Sequence, residues 1–241
     1  MNSILGINFI EIPKGMALLG AVNSDMLARL NEPMQYLQEL DSFWISQYLI
    51  TQSQFVRIMG YNPSYHSNKL NSLKSLSTDI FPVESVSWND AVEFCCRLKM
   101  CANAKNYFIR LPYEVEWEYA CRGKHDYIFQ NGNMLDSTLA NIQGNYPYNT
   151  DLIGPTLNRP CEVGQYSPNE FGLFDMHGNV WEWCMDIYKS PSGKIYPNAR
   201  ILKGGAWNCY SRFCRTSYRC INEVDKRYFD TGFRVVISRK R

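Results

Sequence analysis

Residues 172–183 read Gly172-Leu173-Phe174-Asp175-Met176-His177-Gly178-Asn179-Val180-Trp181-Glu182-Trp183. Glycine at 172 and 178 and asparagine at 179 mark turns, and neither a helical nor a strand period runs through the stretch. Asp175 and Glu182 flank the turn, and the carbonyls of Gly178 and Val180 lie between them. Two carboxylates and two carbonyls are an oxygen set suited to calcium. The same carboxylates also suit plain hydrogen bonds to the turn, and both readings stand open.

Upstream, Asn8-Phe9-Ile10-Glu11-Ile12 alternates and stops at Pro13-Lys14-Gly15, a strand signal. Residues 43–50 predict another strand, and Thr51 an N-cap for a helix through Phe55 to Met59 that Asn62-Pro63-Ser64 breaks. Ser87-Trp88-Asn89-Asp90 has the form of a capping box, and Ala91, Val92, Cys95 and Leu98 supply one apolar helical face. A second main helix is expected to begin near Pro112, run through Glu114, Trp117, Ala120 and Cys121, and stop at Gly123. More than a hundred residues of turns and short strands follow. The expectation is one loop-rich α+β domain over residues 1–241 with two main helices.

The 25 basic and 23 acidic residues leave a formal charge of +2, and the longest basic run is Arg239-Lys240-Arg241. No nucleic-acid footprint stands out. No stretch approaches the roughly 18 apolar residues that span a bilayer, and residues 1–20 lack the pattern of a signal peptide. The chain is thus expected to be made as a soluble cytoplasmic protein, with a virion or cell surface open as destinations. Nine cysteines without framework spacing, among them Cys95, Cys96 and Cys121 in helical patterns, predict mostly reduced, buried thiols.

Five motifs recur in order: Phe81-Pro82-Val83-Glu84-Ser85-Val86-Ser87-Trp88, Arg110-Leu111-Pro112-Tyr113-Glu114-Val115-Glu116-Trp117-Glu118, residues 172–183, Gly204-Gly205-Ala206-Trp207 and Gly232-Phe233-Arg234. This pattern resembles the formylglycine-generating-enzyme superfamily over nearly the whole chain, and the resemblance implies a C-type-lectin-like fold. Its members include copper-dependent oxidases acting on sulfatase cysteines, iron enzymes that join sulfur to histidine derivatives, and the variable proteins of diversity-generating retroelements. The fold does not choose among them. By the same resemblance Asp175, Gly178, Val180 and Glu182 correspond to a calcium site of the oxidases, and Asn141 with the carbonyl of Ile142 to a second, with Asp151 a further ligand.

Cys209 and Cys214 share the Cys-x4-Cys separation of the oxidases' copper-binding pair, and thiolates suit Cu(I). Three departures count against this alternative. Ala206 stands where the oxidases have serine, the run from Gly205 to Arg215 and Arg219 is shorter than theirs, and Cys209 falls among residues of variable type. An iron site is poorly matched, since only His66, His125 and His177 exist and no His-x3-His pair is present.

The stretch 204–236 resembles instead a retroelement-diversified segment. Gly204, Gly205, Trp207, Arg215, Arg219, Gly232, Phe233 and Arg234 match its constant scaffold. Asn208, Cys209, Tyr210, Arg212, Phe213, Cys220, Ile221, Asn222, Tyr228, Phe229 and Asp230 match its variable positions. Adenine replacement in an asparagine codon reaches every one of these residue types; Glu223 and Lys226 are not reachable and fall in the scaffold. Tyr, Phe and Arg in such positions suit binding hot spots for a protein or cell-surface ligand. Tyr210, Phe213, Tyr228 and Phe229 are core residues under the plainer reading, and their clustering with Arg212, Asn222 and Asp230 without any period favours exposure.

Overall fold

A computed structural model describes residues 3–70, 74 and 76–239. Ile7, Phe9 and Ile12 point inward from strand β2 (Ile7–Ile12), which pairs antiparallel with β1 (Ser3–Ile4) and with β5 (Phe43–Ser46). The expected strand over 43–50 ends early, because the Ser46 hydroxyl donates to the Tyr48 carbonyl and turns the chain. Between these strands stands a hairpin, β3 (Gly15–Leu19) with β4 (Tyr36–Leu40).

Three α-helices stand among the described residues, the short one after Thr51 and the two main ones, as expected. Thr51 caps α1 (Gln52–Met59) in a reciprocal capping box with Gln54, and Gly60, at φ 84°, ends it before Asn62-Pro63 is reached. Ser87 and Asp90 cap α2 (Trp88–Cys101), whose buried face is Ala91, Phe94, Cys95 and Leu98, with Val92 at its margin. Helix α3 (Glu114–Arg122) starts later than expected. Tyr113 is its N-cap and Pro112 lies outside it, offering its carbonyl to the Met185 amide, while Gly123 ends it as expected.

Strand β11 (Val236–Arg239) inserts between β5 and β6 (Tyr107–Arg110), giving the sheet order β1-β2-β5-β11-β6. A second sheet has the order β10-β7-β8-β9, from β7 (Trp181–Lys189), β8 (Ile195–Lys203), β9 (Cys220–Glu223) and β10 (Thr231–Gly232). β10 runs parallel to β7 and so closes the far end of the segment that leaves β8. Phe233 follows at once, packed edge-on to Phe94, which itself stacks on Phe55 at 5.6 Å. The 204–236 segment is therefore anchored in one sheet at its start and in both sheets at its end.

Candidate functional site

The segment opens on two glycines with φ of +91° and +81°. Gly204 accepts the Gly178 amide, which ties the turn of 172–183 to the start of the segment. Gly205 backs directly onto Cys214, where a methyl group would lie 2.2 Å from Sγ. Trp207 donates its amide to the Asn179 carbonyl, and residues 211–213 form a single 3₁₀ turn.

Buried charge pairs hold the rest of the scaffold. Arg215 binds Asp25 and, through both terminal nitrogens, Glu32 at 2.7 and 2.8 Å; Ser217 donates to the same glutamate. Arg219 grips Glu114 with two bonds of 2.6 Å, and buried Lys203 approaches the same carboxylate at 3.4 Å. Arg234 binds both oxygens of Glu182, and neither side chain is exposed. Charge-assisted forks of this kind fix direction as well as position.

Burial separates most of the two residue classes but not all, since Glu223 and Lys226, expected in the scaffold, are exposed. Gly204, Gly205, Arg215, Gly232, Phe233 and Arg234 are buried, and Trp207 and Arg219 half-buried. None of Asn208, Cys209, Tyr210, Arg212, Phe213, Cys220, Ile221, Asn222, Tyr228, Phe229 and Asp230 is buried. Tyr228 and Phe229 are 40% and 46% exposed, so the core placement fails for them. Cys209, Phe213 and Cys220 keep one side against the core.

The displayed side chains form two aromatic clusters. Phe229 lies beside Trp207 and Tyr65, with His66 edge-on between them, and Asn208 and Asp230 are bridged at 3.0 Å. Tyr210 stacks on Tyr146 at 3.7 Å and on Phe213 at 5.9 Å, and Phe213 meets Tyr218 at 5.4 Å. Cys220, Ile221 and Asn222 form β9, paired with β8 at the edge of its sheet.

Cys209 and Cys214 pack in one apolar cluster. Burial pushes the Cys209 thiol up to about 12 and that of Cys214 well above its ordinary value, so both stand as thiols. His177, in the turn of 172–183, faces the same place. Its Nδ1 donates to the Cys214 carbonyl at 2.7 Å and its Nε2 accepts the Gln130 amide at 2.8 Å. Burial pushes its pKa down to about 4, and the ring is neutral. All nine cysteines are free, but only five are buried; Cys96 and Cys101 are exposed and Cys209 and Cys220 half-exposed, which corrects the expectation of mostly buried thiols for these four.

The two candidate calcium sets lie side by side, since Asn141 pairs with Gly178 in a parallel bridge. They differ in fitness. Glu182 accepts Trp117 Nε1 at 2.7 Å in addition to the Arg234 fork, so its charge is neutralised where a cation would need it, and it stands here as an ion-pair partner. Asp175 accepts the Gly164 amide, and burial raises its pKa to about 6. Asn141 Oδ1 is buried with no hydrogen-bond partner among the described residues, an open oxygen beside Ile142, whereas Asp151 sits on an exposed loop. No three His, Cys, Asp or Glu side chains converge into a metal-holding group among the described residues.

The sequence profile of the sulfatase-modifying factor enzyme 1-like domain matches residues 6–239. The chain belongs to the sulfatase-modifying factor enzyme 1-like family. The formylglycine-generating enzyme of Mus musculus is 37% identical over 172 residues, covering 64% of this chain and 43% of the enzyme. An inactive C-alpha-formylglycine-generating enzyme 2 of the same animal is 32% identical over 168 residues, covering 66% of this chain and 50% of that protein. The chain thus spans about half the length of these relatives. Variable protein 1 of Treponema denticola superposes with a TM-score of 0.80 over 98% of this chain and 96% of its own, at 23% identity, a likeness of fold. The architecture is α+β and C-type-lectin-like.

Against this family pattern, several residues beside the variable positions were not foreseen, His66 against Phe229 among them. Tyr65, Tyr146, Tyr218 and Arg29 each touch a displayed ring. Tyr218 sits between the two scaffold arginines, where a spacing argument reaches it. Tyr65, Tyr146 and Arg29 come from distant loops with no local signal of their own. No helix among the described residues is long and apolar enough to cross a membrane.

Proposed function

We propose that this chain is a ligand-binding protein that displays a retroelement-diversified surface, residues 208–230, on a family scaffold. The observation that carries the reading is a partial division of burial: six of the eight residues matched to the constant scaffold are buried, whereas none of the eleven variable-type residues is, and Arg212, Tyr228 and Phe229 are exposed. A surface meant to change needs a backbone whose position owes nothing to the changing side chains, and the glycine pair and the buried arginines supply that. Ligand recognition of a protein or cell-surface kind follows from the Tyr, Phe and Arg content.

The alternative is copper-dependent oxidation of a sulfatase cysteine through Cys209 and Cys214, favoured by identity to the enzymes and by the packing of both thiols in one cluster. One pair of measurements separates the two. Incubation with Cu(I) and a peptide carrying Cys-x-Pro-x-Arg is expected to yield no aldehyde, and detecting formylglycine sinks the binding reading. Phe229→Ser at an exposed position and Tyr210→Ser at a half-buried one are both expected to leave the melting temperature within about 4 °C, as positions outside the core do. A loss of about 10 °C in both would show them to be structural.

We further propose that Asn141, with the Ile142 carbonyl, is where this chain would hold a structural calcium ion, its support being the unpartnered buried Oδ1. Excess calcium is then expected to raise the melting temperature of EDTA-stripped protein by a few degrees. Asn141→Ala should abolish the rise and Glu182→Gln should not; a rise unaffected by Asn141→Ala defeats the assignment.

A further inference from the structure

Phe213 carries two guanidinium groups. Arg212, from the variable segment, lies 4.6 Å from its ring centroid, and Arg29, from the loop before β4, lies 5.3 Å from the same centroid. Arg212 also lies 5.5 Å from the centroid of Tyr210 and Arg29 5.3 Å from that of Tyr218. Both arginines are exposed, and neither has a carboxylate partner among the described residues. The two acids nearest in the chain to Arg29, Asp25 and Glu32, are buried and turned to Arg215. What reaches the surface here is therefore two cations on an apolar floor.

Arg29 is also held in place. Asp25 and Glu32 pin the loop on either side of it through Arg215, the Arg29 amide donates to Glu32 at 3.1 Å, and Asn31 exchanges bonds with Arg219. A guanidinium laid over a ring keeps its in-plane N–H fork free, and that fork matches a carboxylate. Elsewhere on the segment the cations are used up: Arg227 binds Asp90 and Lys226 binds Glu223. The positive charge is thus a spot with room for one or two carboxylates, not the track that a polyanion follows.

We propose that the Arg29–Phe213–Arg212 cluster is a subsite for an acidic peptide segment, an Asp or Glu side chain entering between the guanidiniums with an apolar neighbour against Tyr210 and Tyr218. The proposal rests on the binding reading above and names its ligand class. It also separates two contributions. Arg212 and Phe213 belong to the part of the surface that changes, whereas Arg29, which also lies over Tyr218, is outside it and carries a preference for acidic ligands from one variant to the next.

The test is selection of a phage-displayed random peptide library on the intact protein, followed by calorimetry with the enriched peptide. The expected consensus contains Asp or Glu beside an aromatic or aliphatic residue. Changing that acid to its amide should weaken binding about tenfold or more, and Arg29→Gln and Arg212→Gln should each do likewise, with the melting temperature unchanged. Enriched peptides without an acid, or an unchanged Kd for Arg29→Gln, overturn the subsite while leaving the binding reading intact if Tyr210→Ala still weakens them. A heparin hexasaccharide or single-stranded oligonucleotide that binds more tightly than the peptide overturns the assignment to a peptide. Peptides insensitive to both Tyr210→Ala and Phe229→Ala, or no enrichment at all, overturn the subsite and the binding reading together.

Discussion

Arg234→Met is expected to destabilise the protein by about 3–5 kcal/mol, seen as a fall of about 6–20 °C in melting temperature. Arg234 and Glu182 are both fully buried, and the guanidinium also donates to the carbonyls of Ser46 and Phe174. Removing it leaves a fully buried carboxylate whose remaining side-chain partner is the Trp117 indole. The double change Arg234→Met with Glu182→Gln should recover a substantial part of the loss, because the amide still accepts from Trp117 but carries no charge. Calorimetry decides it. A single variant melting within 2 °C of the parent would show that the pair is not what holds the segment's end.

Gly205→Ala is the second large effect, about 2–5 kcal/mol. Its φ of +81° costs a residue with a side chain about 1–2 kcal/mol, and the added methyl meets Cys214 at Sγ and again at Cα, 3.1 Å away. Overpacking of that order adds about 1–3 kcal/mol. Gly60→Ala is the matched control, with φ of +84° and nothing within 4 Å of the added carbon, so it should carry the backbone cost alone. Adding Cys214→Ala to Gly205→Ala should relieve the Sγ contact and leave the rest. Equal urea midpoints for Gly205→Ala and Gly60→Ala would remove Cys214 from the account.

Local chemistry is what the sequence displayed well. Thr51, Ser87 and Gly123 cap or stop helices where residue type says they must, because a cap is decided within four residues of chain. Residue type spoke less clearly within 204–236, because Phe, Tyr, Ile and Cys suit a core as well as a displayed surface, and only Arg212, Tyr228 and Phe229 of the eleven variable-type positions are fully exposed. What stayed hidden depends on distant partners. Glu182 has the look of a cation ligand until Arg234 is placed against it, and nothing in residues 172–183 announces an arginine more than fifty positions later. Arg29 and Tyr146 join the surface only because the folded chain delivers their loops there. Pro112 misled in the opposite way: its fixed φ suits a helix start, yet its carbonyl is used by Met185 and the helix begins after Tyr113.

Strand β11 lies inside its sheet, between β5 and β6, although it is the last strand among the described residues, and Arg215 finds Asp25 at a separation of 190 positions. Assembly must therefore wait until residues 236–239 have been made, and contacts of such long range close slowly. If the segment is rewritten as proposed, that order of events would act as an inspection step. A stop codon or frameshift anywhere in 204–236 removes β11, leaves β5 and β6 without their shared neighbour, and denies the product a folded state. On the proposed reading, only copies read through β11 would reach a folded, displayed state.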